Sequence, residues 1–152
     1  MALTWNDLII DQFNPEQVEA WIEPWNGTIQ GQIAPVFFNK FGAWFLRRPQ
    51  GYVEMLDVFT GSIQRISNTY EEFIAEVNQP WWQEAYLLSA YVSFLHDAGK
   101  IPDTNQCYAL APHPALGGPN PACGDAIEAR FVMIMDMLVW QRVCSQAVNA
   151  DA

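Results

Sequence analysis

Between Ile33 and Ile66 the chain consists of four short apolar runs, VFFNKF, AWFL, YVEMLDVF and SIQRI, with turn signals between them. Runs of this length, rich in Val, Phe and Ile and bounded by Pro and Gly, read as strands, and links this short join only antiparallel neighbours. Arg48-Pro49-Gln50-Gly51 places Pro second and Gly fourth in a tight turn, and Thr60-Gly61 closes the next hairpin. The segment reads as an antiparallel meander, against which the rest of the chain must pack.

On both sides of the meander the period changes to that of helices. Asp11 or Asn14 is placed to cap a helix that begins at Pro15 and runs PEQVEAWIEPW, with Glu16 at the positive end of the dipole and Pro24 stopping it. Thr69 followed by Glu72 forms a capping box that opens TYEEFIAEVNQ. A longer helix is expected after Pro80, over WWQEAYLLSAYVSFLHDAGK. Trp81, Ala85, Leu88, Val92 and Leu95 lie on one face, and Trp82, Tyr86, Ala90, Tyr91 and Phe94 widen it. Gly99 is its C-terminal cap, and Pro102 prevents resumption.

From Asp103 to Asp125 the four Pro and three Gly predict loop around one short run, CYALA. Arg130 to Met135 reads as a buried strand, with Asp136 capping a last helix through Gln146.

At 152 residues, with 51% apolar and only 16% charged, the chain has enough apolar surface for one self-sufficient core. The fold class is α+β. A single domain over 1–152 has a central antiparallel sheet with helices packed against it, residues 1–35 forming a helical N-terminal arm and 36–148 the core. Trp44, Phe45, Trp82, Tyr86 and Trp140 are expected to be mostly core.

Charge narrows the functional classes. Seventeen acidic residues against seven basic give a net −10, and a surface of that sign repels phosphate backbones and anionic lipid headgroups. Neither nucleic acid nor membrane is expected as a partner. The same field speeds encounter with a basic protein. The opening MALTWNDLIIDQF has neither the basic start nor the apolar run of an export signal. An odd set of cysteines, Cys107, Cys123 and Cys144, fits a reducing compartment better than a disulfide framework. The expected location is cytoplasmic.

Motifs for chemistry are sparse. His96-Asp97 looks like a phosphohydrolase metal doublet, but His113 is the only other histidine and the upstream ligand is missing, so His96 reads as a helix C-terminal residue. Cys107, His113 and Cys123 lack the paired spacing of structural zinc sites. Spacing leaves open a meeting of Cys107 or Cys123 with His113 in the fold. Glu71 and Glu72, as helical neighbours, point about 100° apart and do not share a cleft. No Walker, Rossmann or nucleophile-elbow motif is present. The expectation is a chain that is not an enzyme, with no metal and no cofactor.

The order FGAWFLRRPQGYVEMLDVFTGSIQRISNTYEEF, then QCYALAPHPALGG, then a strand-like apolar run and a closing VWQRVCSQ, resembles the C-terminal domain family of type VI secretion DNase-immunity proteins. That family is a distant relative of the SUKH superfamily of immunity proteins, which also resembles cell-wall-assembly regulators. The resemblance spans roughly Phe37 to Gln146. It implies a non-enzymatic α+β protein that neutralises a cognate toxin, often a nuclease, or, as the alternative, a regulatory or scaffold protein of the same fold. It carries no contact residues over. In Ala115-Leu116-Gly117-Gly118 the glycines suit positive φ or close backbone approach, and Leu116 is expected to plug the sheet.

The surface expected to meet a cognate toxin or other basic protein comprises Glu71, Glu72, Trp81 and Glu84, an acidic rim bordering an aromatic anchor. The competing reading makes Trp81 a hydrophobic staple onto the sheet and the three Glu ordinary solvated helix surface.

Overall fold

Residues 3–150 are described by a computed structural model. The meander forms β2 (Ala34–Asn39), β3 (Trp44–Arg47), β4 (Val53–Asp57) and β5 (Ser62–Ser67), each paired antiparallel with the next. At the Pro49 turn the Gly51 amide donates to the Arg48 carbonyl at 2.9 Å, and Gly61 closes the next hairpin at φ +75°. A fifth strand, β1 (Ile9–Ile10), pairs with Phe38 and Asn39 at the outer side of β2. The N-terminal arm thus supplies a strand as well as the short helix α1 (Trp5–Leu8) and the helix that follows it.

Both faces of this sheet are buried, which is why its central strands read as apolar runs without alternation. Phe37, Phe45 and Met55 share one face, where Phe37 lies 5.7 Å from Phe73 and Phe45 lies 5.6 Å from Trp82. Those partners come from α3 (Tyr70–Glu76) and α4 (Pro80–Trp82). Phe38, Trp44 and Leu56 share the other face, which meets Trp21 of α2 (Pro15–Ile22) and the C-terminal helix α6 (Met137–Asn149). Trp44, Phe45, Trp82 and Trp140 are buried and Tyr86 is half-buried against them, as the composition of the core predicts.

A buried polar network fastens the two chain ends to the sheet. The Gln141 side-chain carbonyl accepts from Trp25 Nε1 at 2.7 Å and Trp44 Nε1 at 2.8 Å, and its amide donates to the Gly42 carbonyl at 2.8 Å. Trp140 Nε1 donates to the Phe41 carbonyl, and Ser145 Oγ donates to the Pro24 carbonyl. Three indoles therefore sit in the core with their polar edge satisfied, the condition under which burying them stabilises the fold.

Several local signals hold. Asn14 and Gln17 cap α2 reciprocally, and Asp136 caps α6 by accepting from Val139 N. Thr69 accepts from Glu72 N, while the Glu72 carboxylate reaches one residue further back than a capping box requires, to Asn68 N. Gly99 at φ +80° and a Lys100 amide bonded to the Leu95 carbonyl end α5 (Ser89–Asp97) in a Schellman arrangement.

The single long helix after Pro80 is corrected. One turn of α4 passes into a π-helical turn at Gln83–Leu87, and Leu88 then adopts φ +56°, left-handed, before α5 begins. Trp82, Leu87, Leu88, Val92 and Leu95 are all buried, and they spread over more of a helix than one straight rod can press against a sheet. The break turns them inward together. Asn39 Nδ2, itself buried, donates to the Tyr86 carbonyl at 3.0 Å.

Beyond α5, β6 (Gln106–Leu110) and β7 (Val132–Asp136) form a separate two-stranded antiparallel sheet, tied to the first by the Tyr108 amide on the Lys40 carbonyl. Two expectations fail here. The strand after Arg130 is not buried throughout: Val132 is, but Met133 and Ile134, on opposite faces of the two-stranded sheet, are exposed. Leu116 is 57% exposed and plugs nothing. The glycines behave as their chemistry predicts, Gly117 at φ +97° and Gly118 so close to the Pro112 carbonyl that a Cβ would sit 2.0 Å from its oxygen.

Candidate partner-binding surface

Glu71 and Glu72 occupy the first turn of α3, where the helix dipole favours carboxylates. Both are exposed. Pro80 at the first position of α4 fixes the direction of the next turn, which buries Trp82 fully and leaves its neighbour Trp81 55% exposed. The staple reading of Trp81 therefore fails, since a staple would be covered. Phe73 and Trp82, 5.5 Å apart edge to face, bind α3 to α4, and Gln83 Nε2 donates to the Val77 carbonyl across the junction. Ile74 on α3 is also exposed.

Glu84 lies in the π-helical turn, exposed, with its carboxylate accepting from Ser89 Oγ at 3.1 Å. None of Glu71, Glu72 and Glu84 belongs to an ion pair among the described residues. Chemically these elements offer exposed carboxylates outside any ion pair among the described residues and one exposed indole, groups that attract cations.

The residues considered for chemistry are placed differently. His113 is buried with both ring nitrogens committed: Nδ1 accepts from Ala115 N and Nε2 donates to the Val58 carbonyl, each at 3.0 Å. Burial lowers its pKa, against the opposing pull of the Val58 carbonyl and Asp57. A neutral imidazole held at both ends is a brace between the 113–118 loop and the main sheet. Cys107 and Cys144 are buried, and burial raises both thiols far above their ordinary value, so neither supplies a thiolate at neutral pH. Cys123 is exposed.

His96 stands in the last turn of α5, as its place in the sequence implies, with a carboxylate from outside the helix beside it. Its Nε2 lies 3.3 Å from Asp7 Oδ1, out of line for a hydrogen bond, and Asp7 is lowered chiefly by the Thr4 amide, with His96 adding to the effect. Among the described residues no three His, Cys, Asp or Glu converge as a metal site. No helix is long and apolar enough to cross a membrane among the described residues.

Two clefts were not legible from residue order. A polar one of about 310 Å³ lies between Asp11, Lys40, Asp103 and Asn105. Lys40 is nearly buried there, and its pKa is lowered by desolvation although Asp7 and Asp11 pull it back. An apolar one of about 470 Å³ lies between Leu110, Pro112, Ile127 and Phe131. The sequence signal for the second was no more than the density of Pro and Ala around it.

No protein-family model matches the chain, and no curated protein matches it.

Proposed function

We propose that this chain is a non-enzymatic binding protein that neutralises a basic protein toxin, in the manner of an immunity protein, through the acidic surface on α3, α4 and the turn that follows. The observation that carries the reading is Trp81, more than half exposed on α4, in a stretch of chain from α3 to the turn after α4 that also exposes Glu71, Glu72 and Glu84, none of them in an ion pair among the described residues. An exposed tryptophan within a charged border is the composition of an interface centre, and the border's sign selects a basic partner.

The chain's net −10 supports the same choice. A nuclease is the toxin class that fits this field, because its own ligand is a polyanion and an acidic protein presents a similar potential to its cleft. The order of the chain's segments, which resembles that of DNase-immunity proteins, is in keeping with this reading. Three free cysteines, two of them buried, suit work in the reducing cytoplasm of the producing cell.

The test is to express the proteins encoded beside this chain's gene, where a basic toxin is expected, and to measure its neutralisation. An equimolar amount of the wild-type protein is expected to abolish the toxin's activity. Trp81→Ala combined with Glu71→Lys and Glu72→Lys is expected to weaken inhibition by at least roughly 30-fold, since interface centres cost about 2 kcal/mol or more on truncation. Full toxin activity in the presence of the wild-type chain would contradict the function. Full inhibition by the triple variant would move the site elsewhere.

A further inference from the structure

Of the nine large apolar side chains exposed among the described residues, seven lie away from α3 and α4, and most of these gather on and around the small β6–β7 sheet: Phe94, Ile101, Phe131, Met133 and Ile134. This end of the molecule also has an open strand. At the two ends of the β6–β7 ladder the Ala111 amide donates to the Phe131 carbonyl and the Met137 amide to the Asn105 carbonyl. Antiparallel pairing bonds every second residue, so the register assigns Met133 and Met135 to β6 and turns the amide and carbonyl of Ile134 outward.

Among the described residues no strand lies on that outer edge. The Val132 carbonyl, next along it, takes Lys100 Nζ. An exposed apolar edge is the feature soluble proteins ordinarily blunt with charge or Pro; β7 itself carries neither before Asp136, and the Lys100 ammonium covers the edge at Val132, leaving Ile134 as its open position.

Beside the edge the surface is concave. The cleft of about 470 Å³ that includes Phe131 and Val132 shares Ala126 and Ile127 with a second cleft of about 230 Å³ against Tyr91 and Phe94. The surroundings are acidic. Tyr91 Oη donates to the Asp125 carbonyl, and its phenol is raised by burial, then by the nearby carboxylates of Asp125 and Glu84. The local cations are occupied, Lys100 on Val132 and Arg130 on Glu128 while lying over the Phe131 ring.

We infer that the outer edge of β7 and the adjoining apolar cleft receive an extended, basic segment of the partner, which adds a third strand to the small sheet and seats apolar side chains in the cleft. Main-chain bonds to Ile134 give attachment, the cleft selects alternate apolar residues, and Glu84 and Asp125 select Lys or Arg between them. The partner's charge decides against a second copy of this chain, which would bring another −10 to the same edge. The inference rests on the proposed function for the existence of a basic partner, and Glu84 makes the two surfaces neighbours.

The experiment is residue-resolved amide hydrogen exchange on the free chain and on its complex with the basic protein recovered with it from its own cells. In the free chain Ile134 is expected to exchange fast while Met133 and Met135 are protected. In the complex Ile134 is expected to become protected. Phe131→Ala and Ile134→Lys, both at exposed positions, are expected to weaken the complex at least roughly tenfold with unchanged melting temperature.

Fast exchange at Ile134 in a complex that forms, with binding still sensitive to Trp81→Ala, would overturn the strand-addition site and leave the proposed function standing. Protection of Ile134 in the free chain that grows with concentration, with a dimer mass by light scattering, would assign the edge to a second copy and overturn it as well. Recovery of no basic protein would overturn both readings.

Discussion

Replacing Gln141 by Leu keeps the volume of the core nearly constant and removes its central polar group. Gln141 is fully buried and makes three short hydrogen bonds, accepting from Trp25 Nε1 and Trp44 Nε1 and donating to the Gly42 carbonyl. In Gln141→Leu all three partners remain buried. Each buried group left without a partner costs about 1–3 kcal/mol, so the substitution is expected to cost about 3–6 kcal/mol after local relaxation. That is a large share of the roughly 5–15 kcal/mol that holds a domain folded.

In equilibrium urea denaturation, with a slope of about 2 kcal/mol per molar, the midpoint falls by about 2 M at unchanged slope. Trp44→Phe supplies the second side of a cycle. In the Gln141→Leu background it removes an orphaned N–H, so it costs less there than in the wild type, by about 1–2 kcal/mol. A Gln141→Leu variant within about 1 kcal/mol of wild type, or a cycle without coupling, would refute the claim that this network joins the chain ends to the sheet.

Other expectations concern single positions. Trp82→Ala should cost about 3–5 kcal/mol and lower the melting temperature by roughly 10 °C, while Trp81→Ala should leave it nearly unchanged, checked by calorimetry on both. His113 has its folded pKa below the ordinary 6.5, so above pH 6.5 it is neutral in both states and its contribution is complete. As pH falls below 6.5 the unfolded chain takes up a proton first, and stability declines. The drop in urea midpoint from about pH 7 to about pH 5 should be smaller in His113→Gln. Gly118→Ala should destabilise more than Gly99→Ala by thermal melting, because the first meets the Pro112 carbonyl at 2.0 Å and the second, at φ +80°, meets open space.

What was legible in the sequence is what is decided locally. Pro49 and Gly51, Asn14 ahead of Pro15, Thr69 ahead of Glu72, and Asp136 ahead of α6 each act over a short stretch of chain, and each turn or cap stands where those residues put it. What was not legible is decided across the fold. Leu88 has no local reason to be left-handed; it is so because Trp82, Leu87 and Val92 must all reach the interior.

Strand β1 is only two residues long and becomes a strand because the edge of β2 is available to it. Gln141 gave no signal, since its indole partners lie 97 and 116 residues away. At the candidate surface, Glu71, Glu72 and Glu84 were placeable as exposed helix positions. The exposure of Trp81 against the burial of Trp82 depended on the angle at which α4 meets the sheet. Met133 and Ile134 read as buried because an apolar run does not reveal whether another element will pack on the faces of its sheet.

The most direct measurement of the central claim is the association rate with the basic partner as a function of ionic strength, for the wild type and for Glu71→Lys with Glu72→Lys. Steering by this surface requires a wild-type rate that falls steeply as salt rises from about 0.01 to about 0.15 M, where the screening length shrinks from about 30 to about 8 Å. The charge-reversed chain should associate more slowly at low salt, with a flattened dependence and the same melting temperature. Equal rates and equal salt slopes for the two proteins would contradict the assignment of α3 and α4 as the surface that meets the partner.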